Sequence, residues 1–319
     1  MHYCPMRSSP EKRAQTYQKQ GNQFIMKKFK GTGVAVITPF KSDLSIDFAA
    51  MGRILEHLVS GGVSYIVLLG TTGEASTLRQ DEKSAVTSYS VEIIGKRVPV
   101  VLGIGGNNTS EVVSCIREAD LEGVDAILSV APYYNKPCQK GLYQHFRQVS
   151  LASPVPVILY NVPARTASNL LPETCLQLAR DCENIIGIKE SSGNFENLMK
   201  IIRDKPEEFL VISGNDMDIL PFAAAGGAGV ISVLANAFPA ECSEMVQQAL
   251  KSNFKAAREL QLRFLELTEI LFAEGNPGGI KAVMNHLNLC QNYLRLPLVP
   301  VSRSLQGRIA RAVEAVRKN

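Results

Sequence analysis

No apolar run in the chain approaches the roughly 20 residues that a bilayer-spanning helix needs, so no membrane helix is expected and the protein reads as soluble. Cys-x-x-Cys spacing is missing too. The seven cysteines (Cys4, Cys115, Cys138, Cys175, Cys182, Cys242 and Cys290) are an odd, scattered set, which argues against a disulfide framework or a zinc site and fits a reducing cytoplasm. Histidines are few and dispersed (His2, His57, His145, His286), and no His, Asp and Glu cluster has metal-ligand spacing. There is no short internal repeat and no low-complexity segment.

Excess positive charge is also missing from most of the chain. The sequence holds 34 basic and 30 acidic residues; seven basic residues and the single acid Glu11 fall within residues 1–30, leaving 27 basic against 29 acidic beyond them. A body without a basic excess makes nucleic acid an unsuitable ligand. Residues 1–27 are polar and Gln-rich and lack the apolar stretch of a secretion signal. They read as a disordered basic leader or an over-extended start before Met26, with a transit peptide as the alternative.

What is present is an alternation of apolar runs and helix-period segments. Strands are expected at residues 33–37, 65–69, 98–102, 126–130, 157–161, 185–189, 209–213 and 229–233. Between them, Phe48, Met51, Ile54, Leu55 and Leu58, and then Val113, Ile116 and Ala119, have the three-and-four spacing of a buried helix face. Eight such units predict a (β/α)8 TIM barrel over residues 28–238. From 239 to 319 the strand signal stops, and the stripe Phe254, Ala257, Leu260, Phe264, Leu267, Leu271, broken at Gly275-Asn276-Pro277-Gly278-Gly279, predicts a C-terminal helical region.

In such barrels, reacting groups lie at the C-terminal ends of strands and in the loops beyond. The sixth strand ends in Gly187-Ile188-Lys189-Glu190. An ammonium there would be partly desolvated, which disfavours its charged form, and a neutral amine attacks carbonyl carbon to form a Schiff base. Considered alone, Lys189 reads first as a strand-end lysine that snorkels or pairs with Glu190. The other strand ends shift that balance. Gly70-Thr71-Thr72-Gly73-Glu74 offers hydroxyls and close backbone amides to a carboxylate, although such a turn is also an ordinary strand-to-helix connection. Tyr133-Tyr134-Asn135 and Tyr160-Asn161-Val162-Pro163-Ala164-Arg165 add phenols and a planar guanidinium, which otherwise serve packing and surface ion pairs. Gly103-Ile104-Gly105-Gly106-Asn107-Asn108 is a poor dinucleotide fingerprint, because Asn108 stands where the third glycine belongs. Together the strand ends suit metal-free carbonyl chemistry on an anionic substrate.

These motifs, in this order and on these strands, resemble the dihydrodipicolinate synthase and N-acetylneuraminate lyase superfamily of pyruvate-dependent class I aldolases, over about residues 28–319. The resemblance implies that Lys189 forms an imine with pyruvate and that its enamine attacks aspartate 4-semialdehyde, with no cofactor beyond the lysine itself. It implies that Tyr160 relays protons, assisted by Thr72 and by Tyr134 from a neighbouring subunit of a homodimer or homotetramer. Thr71 and Thr72 would hold the pyruvate carboxylate, Arg165 the second carboxylate, and Gly214 and Ile231 would line the pocket through their backbones. Arg165 separates the synthase branch from the sialic acid lyases, which lack it.

The resemblance also suggests a regulatory lysine site at Ser76, Asn107, Glu111 and Tyr133. Where lysine-inhibited synthases carry two histidines, this chain has Gln80 and Lys83, and a further ammonium opposes a cationic effector. Two other readings stay open: another pyruvate aldolase acting on a keto-deoxy sugar acid, and a non-catalytic binding protein on the same barrel.

Overall fold

Eight short strands, every residue of them apolar, small or sheltered, form β1 (Gly31–Ala35), β2 (Tyr65–Leu68), β3 (Val100–Gly103), β4 (Ala126–Val130), β5 (Val157–Asn161), β6 (Ile185–Glu190), β7 (Leu210–Ser213) and β8 (Gly229–Ser232). They pair in sequence order, and β8 returns to β1 through the Gly31 to Gly229 and Thr32 to Val230 partners. The chain is a closed parallel (β/α)8 barrel. The computed structural model describes residues 27–318; the leader read from the sequence, apart from Lys27, and Asn319 lie outside the described residues.

The outer ring comprises α1 (Phe48–Ser60), α2 (Gln80–Ile94), α3 (Thr109–Glu118), α4 (Gln139–Ala152), α5 (Pro172–Asp181), α6 (Phe195–Asp204), α7 (Ile219–Ala224) and α8 (Pro239–Leu250). Polar caps begin several of these helices: Asp47 accepts from Ala50 N at 2.9 Å, Asn108 from Ser110 N at 3.1 Å and Asn194 from Asn197 N at 3.0 Å. Asn108 is thus a helix cap in an ordinary βα turn, which is why the glycines before it make no dinucleotide loop. Because α8 packs on β1 and β8, the eighth βα unit ends past residue 238, where the sequence pattern closed the barrel. The inner face of α3 also differs from expectation: Val112 and Ile116 are buried, while Val113 is only partly so.

Beyond the ring come α9 (Phe254–Arg263), α10 (Leu265–Leu271), α11 (Gly278–His286) and α12 (Arg303–Lys318). The expected stripe is buried at Ala257, Phe264, Leu267 and Leu271 but not at its start, where Phe254 is 42% exposed. Phe264, Leu267 and Leu271 share one apolar cluster with Leu305, Ile309 and Val313 of α12 and with the α1 face Met51, Ile54, Leu55 and Leu58. The C-terminal helices are therefore continuous with the barrel's own core.

Inside the barrel, Val67, Val101, Leu128, Ile158, Ile212 and Ile231 fill the lumen, and Phe29 meets the Tyr65 ring edge-on at 5.6 Å. One irregularity positions the chemistry. Val157 pairs with Ile185 but Ile158 pairs with Gly187, so β6 carries one extra residue. In a regular strand, Ile186 and Lys189 would face opposite sides. The bulge lets both face inward, and it brings Lys189 into register with Tyr160 and Glu190 with Asn161.

Candidate active site

At the C-terminal mouth of the barrel a cavity of about 270 Å³ is lined by Thr71, Thr72, Tyr160, Arg165, Lys189 and Gly214, together with Ser191, Val233 and Asn276. Lys189 comes from β6 and is 6% exposed; its Nζ lies 4.2 Å from the centroid of the Tyr160 ring, which is 7% exposed on β5. Among the described residues no acid lies within ion-pair distance of Lys189. Glu190, the partner considered from sequence, sits on the other face of the strand. Asn161 Nδ2 donates to it at 3.0 Å and Ser192 N at 2.6 Å, while burial pushes its carboxyl up. Asp216, a second buried acid, accepts from Ser232 Oγ and from Val233 and Leu234 N–H groups at 2.9 and 3.1 Å; burial raises it, against these bonds and the Lys189 charge.

Gly214 is small of necessity, since a Cβ there would meet Ser191 Oγ and, at 2.7 Å, Lys189 Cε. Arg165 follows β5 in the one-turn helix Pro163–Thr166, is exposed, and pairs with no carboxylate among the described residues. Its fork is thereby available to an anion.

The Thr71-Thr72 turn is held under backbone strain. Leu69 (φ 54°) and Glu74 (φ 52°) lie on either side of it in the left-handed region. Thr38 Oγ1 donates to Gly73 O at 2.7 Å, and Gly103 lacks a Cβ that would strike the Leu69 carbonyl. From the C-terminal region, Asn276 Nδ2 donates to Thr72 Oγ1 at 2.9 Å. Lys281 of α11 pairs with Glu74 at 2.5 Å, both side chains 0% exposed, and donates to Tyr293 O at 2.9 Å. The Arg295 backbone N–H donates to the other Glu74 oxygen at 3.1 Å. Burial lowers the Lys281 ammonium, opposed by Glu74.

The Arg295 guanidinium grips both oxygens of Glu82 on α2, at 2.8 and 2.7 Å, and holds its carboxyl down at about 2. A folded value below the unfolded one of about 4.3 stabilises the protein above that pH, and the contribution is lost as pH falls toward 2. Glu82→Gln should accordingly melt below the parent at pH 7, with the gap narrowing at pH 3. Equal gaps at the two pH values would contradict this.

A second cavity of about 660 Å³ adjoins the first through Gly70, Thr71, Arg165 and Asn276, and Ser76, Asn107, Glu111 and Tyr133 line it with Gln80 and Lys83. Two residues named from sequence line neither cavity. Ile231 is 0% exposed and belongs to the packed lumen, while Val233, two residues on, reaches the cavity wall. Tyr134 is 86% exposed, with φ 71°. Sequence reading missed Asn276, Ser191 and Asp216; only the Asn-Pro break flagged the first, and nothing in the pattern joined it to a turn 204 residues away.

Comparison with known proteins finds relatives along nearly the whole of the chain. The 4-hydroxy-tetrahydrodipicolinate synthase of Flavobacterium psychrophilum is 51% identical over 284 residues, covering 89% of this chain and 97% of that protein. The crystal structure of dihydrodipicolinate synthase from Aquifex aeolicus superposes with a TM-score of 0.88 at 38% identity, over 91% of this chain and 98% of that one. The enzyme from Cyanidioschyzon merolae, solved with lysine bound, superposes with a TM-score of 0.88 at 33% identity, over 91% of this chain and 99% of that one. Residues 28–316 match the profile of the Dihydrodipicolinate synthetase family, and the chain belongs to that family.

Proposed function

We propose that this chain condenses pyruvate with L-aspartate 4-semialdehyde to 4-hydroxy-tetrahydrodipicolinate, a step toward diaminopimelate and lysine, through an imine on Lys189. The observation that carries this reading is the β5 to β6 register, which sets a buried amine against the Tyr160 ring in a cavity walled by a hydroxyl turn and by an arginine that pairs with no carboxylate among the described residues.

The Lys189 amine adds to the pyruvate ketone and water leaves. Loss of a methyl proton from the imine gives the enamine, whose carbon forms a bond to the aldehyde carbon of the semialdehyde. The amino group of that substrate then attacks the imine carbon, closes the ring and releases Lys189. The lysine supplies the electron sink, so no other cofactor is required. Tyr160, whose ring lies against the Lys189 nitrogen with 4.2 Å between Nζ and the ring centroid, relays protons at the imine and aldehyde oxygen. Thr71 and Thr72 hold the pyruvate carboxylate, Gly214 leaves room for the adduct, and Arg165 receives the second carboxylate as a bidentate fork.

Tyr134 completes the relay from a second copy of the chain, in a homodimer or homotetramer; its exposed phenol and left-handed backbone suit a residue that projects outward. Ser76, Asn107, Glu111 and Tyr133 form an effector cavity in which the Lys83 ammonium opposes a second cation, so that lysine binds weakly. Free thiols, four of them buried, fit the cytoplasm, and no helix among the described residues is long and apolar enough to cross a membrane.

The test is turnover of pyruvate with the semialdehyde by the parent and by Arg165→Ala. The variant should lose about 100-fold or more in kcat/KM for the semialdehyde, the worth of a charge-assisted bidentate pair, and still form the pyruvate imine. Unchanged turnover by the variant, with activity on a keto-deoxy sugar acid, would reassign the enzyme to the lyase branch.

A further inference from the structure

Thr72 is 2% exposed, and its hydroxyl has one proton to give and lone pairs to receive. Asn276 Nδ2 donates to that oxygen at 2.9 Å, and Asn276 is 8% exposed. With one lone pair occupied by a donor that cannot take the proton, the hydroxyl is left to donate elsewhere, and Thr72 lines the cavity.

We propose that Asn276 is a positioning residue for the reaction: by donating to Thr72 Oγ1 from the C-terminal helical region, it turns the single Thr72 proton into the substrate cavity. This deepens the imine reading and rests on it, because Thr72 matters there as a donor to the pyruvate carboxylate and to the proton relay.

Two observations favour a directional role over packing. The first is that Asn276 Oδ1 is buried without a hydrogen-bond partner among the described residues. An unpaired buried carbonyl is a cost that an apolar side chain would avoid, so the useful end of this carboxamide is its N–H. The second is that its surroundings are braced on the same turn. Lys281, five residues on, pairs with Glu74, two residues after Thr72, and the Arg295 N–H takes the other Glu74 oxygen. The helical region therefore grips the turn at residue 74 and sets the direction of the hydroxyl at residue 72.

The test is a set of variants assayed for kcat/KM with pyruvate: Asn276→Ala, Asn276→Asp, Thr72→Val and the double variant T72V/N276A. Removing the anchor in Asn276→Ala should cost about tenfold, the worth of one hydrogen bond. Asn276→Asp should cost more, about 100-fold, because a carboxylate accepts the Thr72 proton and draws it out of the cavity. That deficit should shrink as pH is lowered and the new carboxyl protonates, whereas the Asn276→Ala deficit should not. In the Thr72→Val background, Asn276→Ala should cost less than twofold more, since its effect passes through a hydroxyl no longer there.

Borohydride trapping of the pyruvate imine on the parent enzyme separates the two levels. No trapped adduct overturns the imine reading itself. With the adduct formed, the positioning role is overturned by any of three results: Asn276→Ala at parental kcat/KM, losses that add in the double variant, or Asn276→Asp no worse than Asn276→Ala at every pH. Should Asn276→Asp fail to fold, the double-variant comparison decides alone.

Discussion

Lys189→Met should lower turnover by at least about 10⁴-fold, the scale on which removing a covalent nucleophile acts, while leaving the melting temperature nearly unchanged. The stability half of this expectation follows from the surroundings. Lys189 is buried against the Tyr160 ring, and no carboxylate pairs with it among the described residues. An unbranched apolar side chain fills the same space and leaves no carboxylate stripped of its ion-pair partner. The activity half follows from the chemistry, because no other described residue lining the cavity is a lysine. Steady-state rates and a thermal melt on the same preparation check both. Substantial residual turnover would place the covalent chemistry elsewhere, and a large drop in melting temperature would mean that Lys189 carries a structural pairing.

Lys281→Met should show the opposite pattern. This lysine is also buried, but it pairs with Glu74, donates to Tyr293 O and lies 4.2 Å from the centroid of the Phe40 ring. Removing it leaves a fully buried carboxylate with only the Arg295 N–H and its surroundings, and breaking such a pair costs about 3–5 kcal/mol. Since Glu74 closes the strained turn that carries Thr71 and Thr72, activity should fall together with stability. The double variant K281M/E74Q, which removes the stranded charge, should recover much of the lost stability. Chemical denaturation of the parent, the single and the double variants checks this. A loss below about 1 kcal/mol in Lys281→Met, the range of an exposed pair, would contradict it.

The contrast between these two lysines also marks how far the sequence is readable. Strands were legible because each is a short apolar run between turn residues, and each observed strand begins and ends within two residues of its expected limits. Lys189 was legible because a charge ending such a run is unusual, and the strand-end rule of barrels placed Thr71, Thr72, Tyr160 and Arg165 around it. Lys281 was not: in Gly-Ile-Lys-Ala-Val-Met it looks like any helical lysine, and its partner Glu74 lies 207 residues away.

Register was hidden for a related reason. Period-two alternation carries no mark of an extra residue, so the β6 bulge that turns Ile186 and Lys189 to the same side appears only when β5 is laid beside it. The choice between Ile231 and Val233 at the end of β8 depends in the same way on where the lumen stops and the cavity begins. On α3 the three-and-four rule fits Val112 or Val113 with Ile116, and only the packing distinguishes them. Long-range closure decided what the pattern left open. The C-terminal helices read as an appendage, yet they share a core with α1 and deliver Asn276, Lys281 and Arg295 to one turn.

The most direct measurement is reduction with borohydride in the presence of pyruvate, followed by peptide mass spectrometry. The account predicts irreversible inactivation with a three-carbon adduct on Lys189 and on no other lysine. An enzyme that turns over pyruvate and the semialdehyde yet shows Lys189 unmodified after reduction would contradict it.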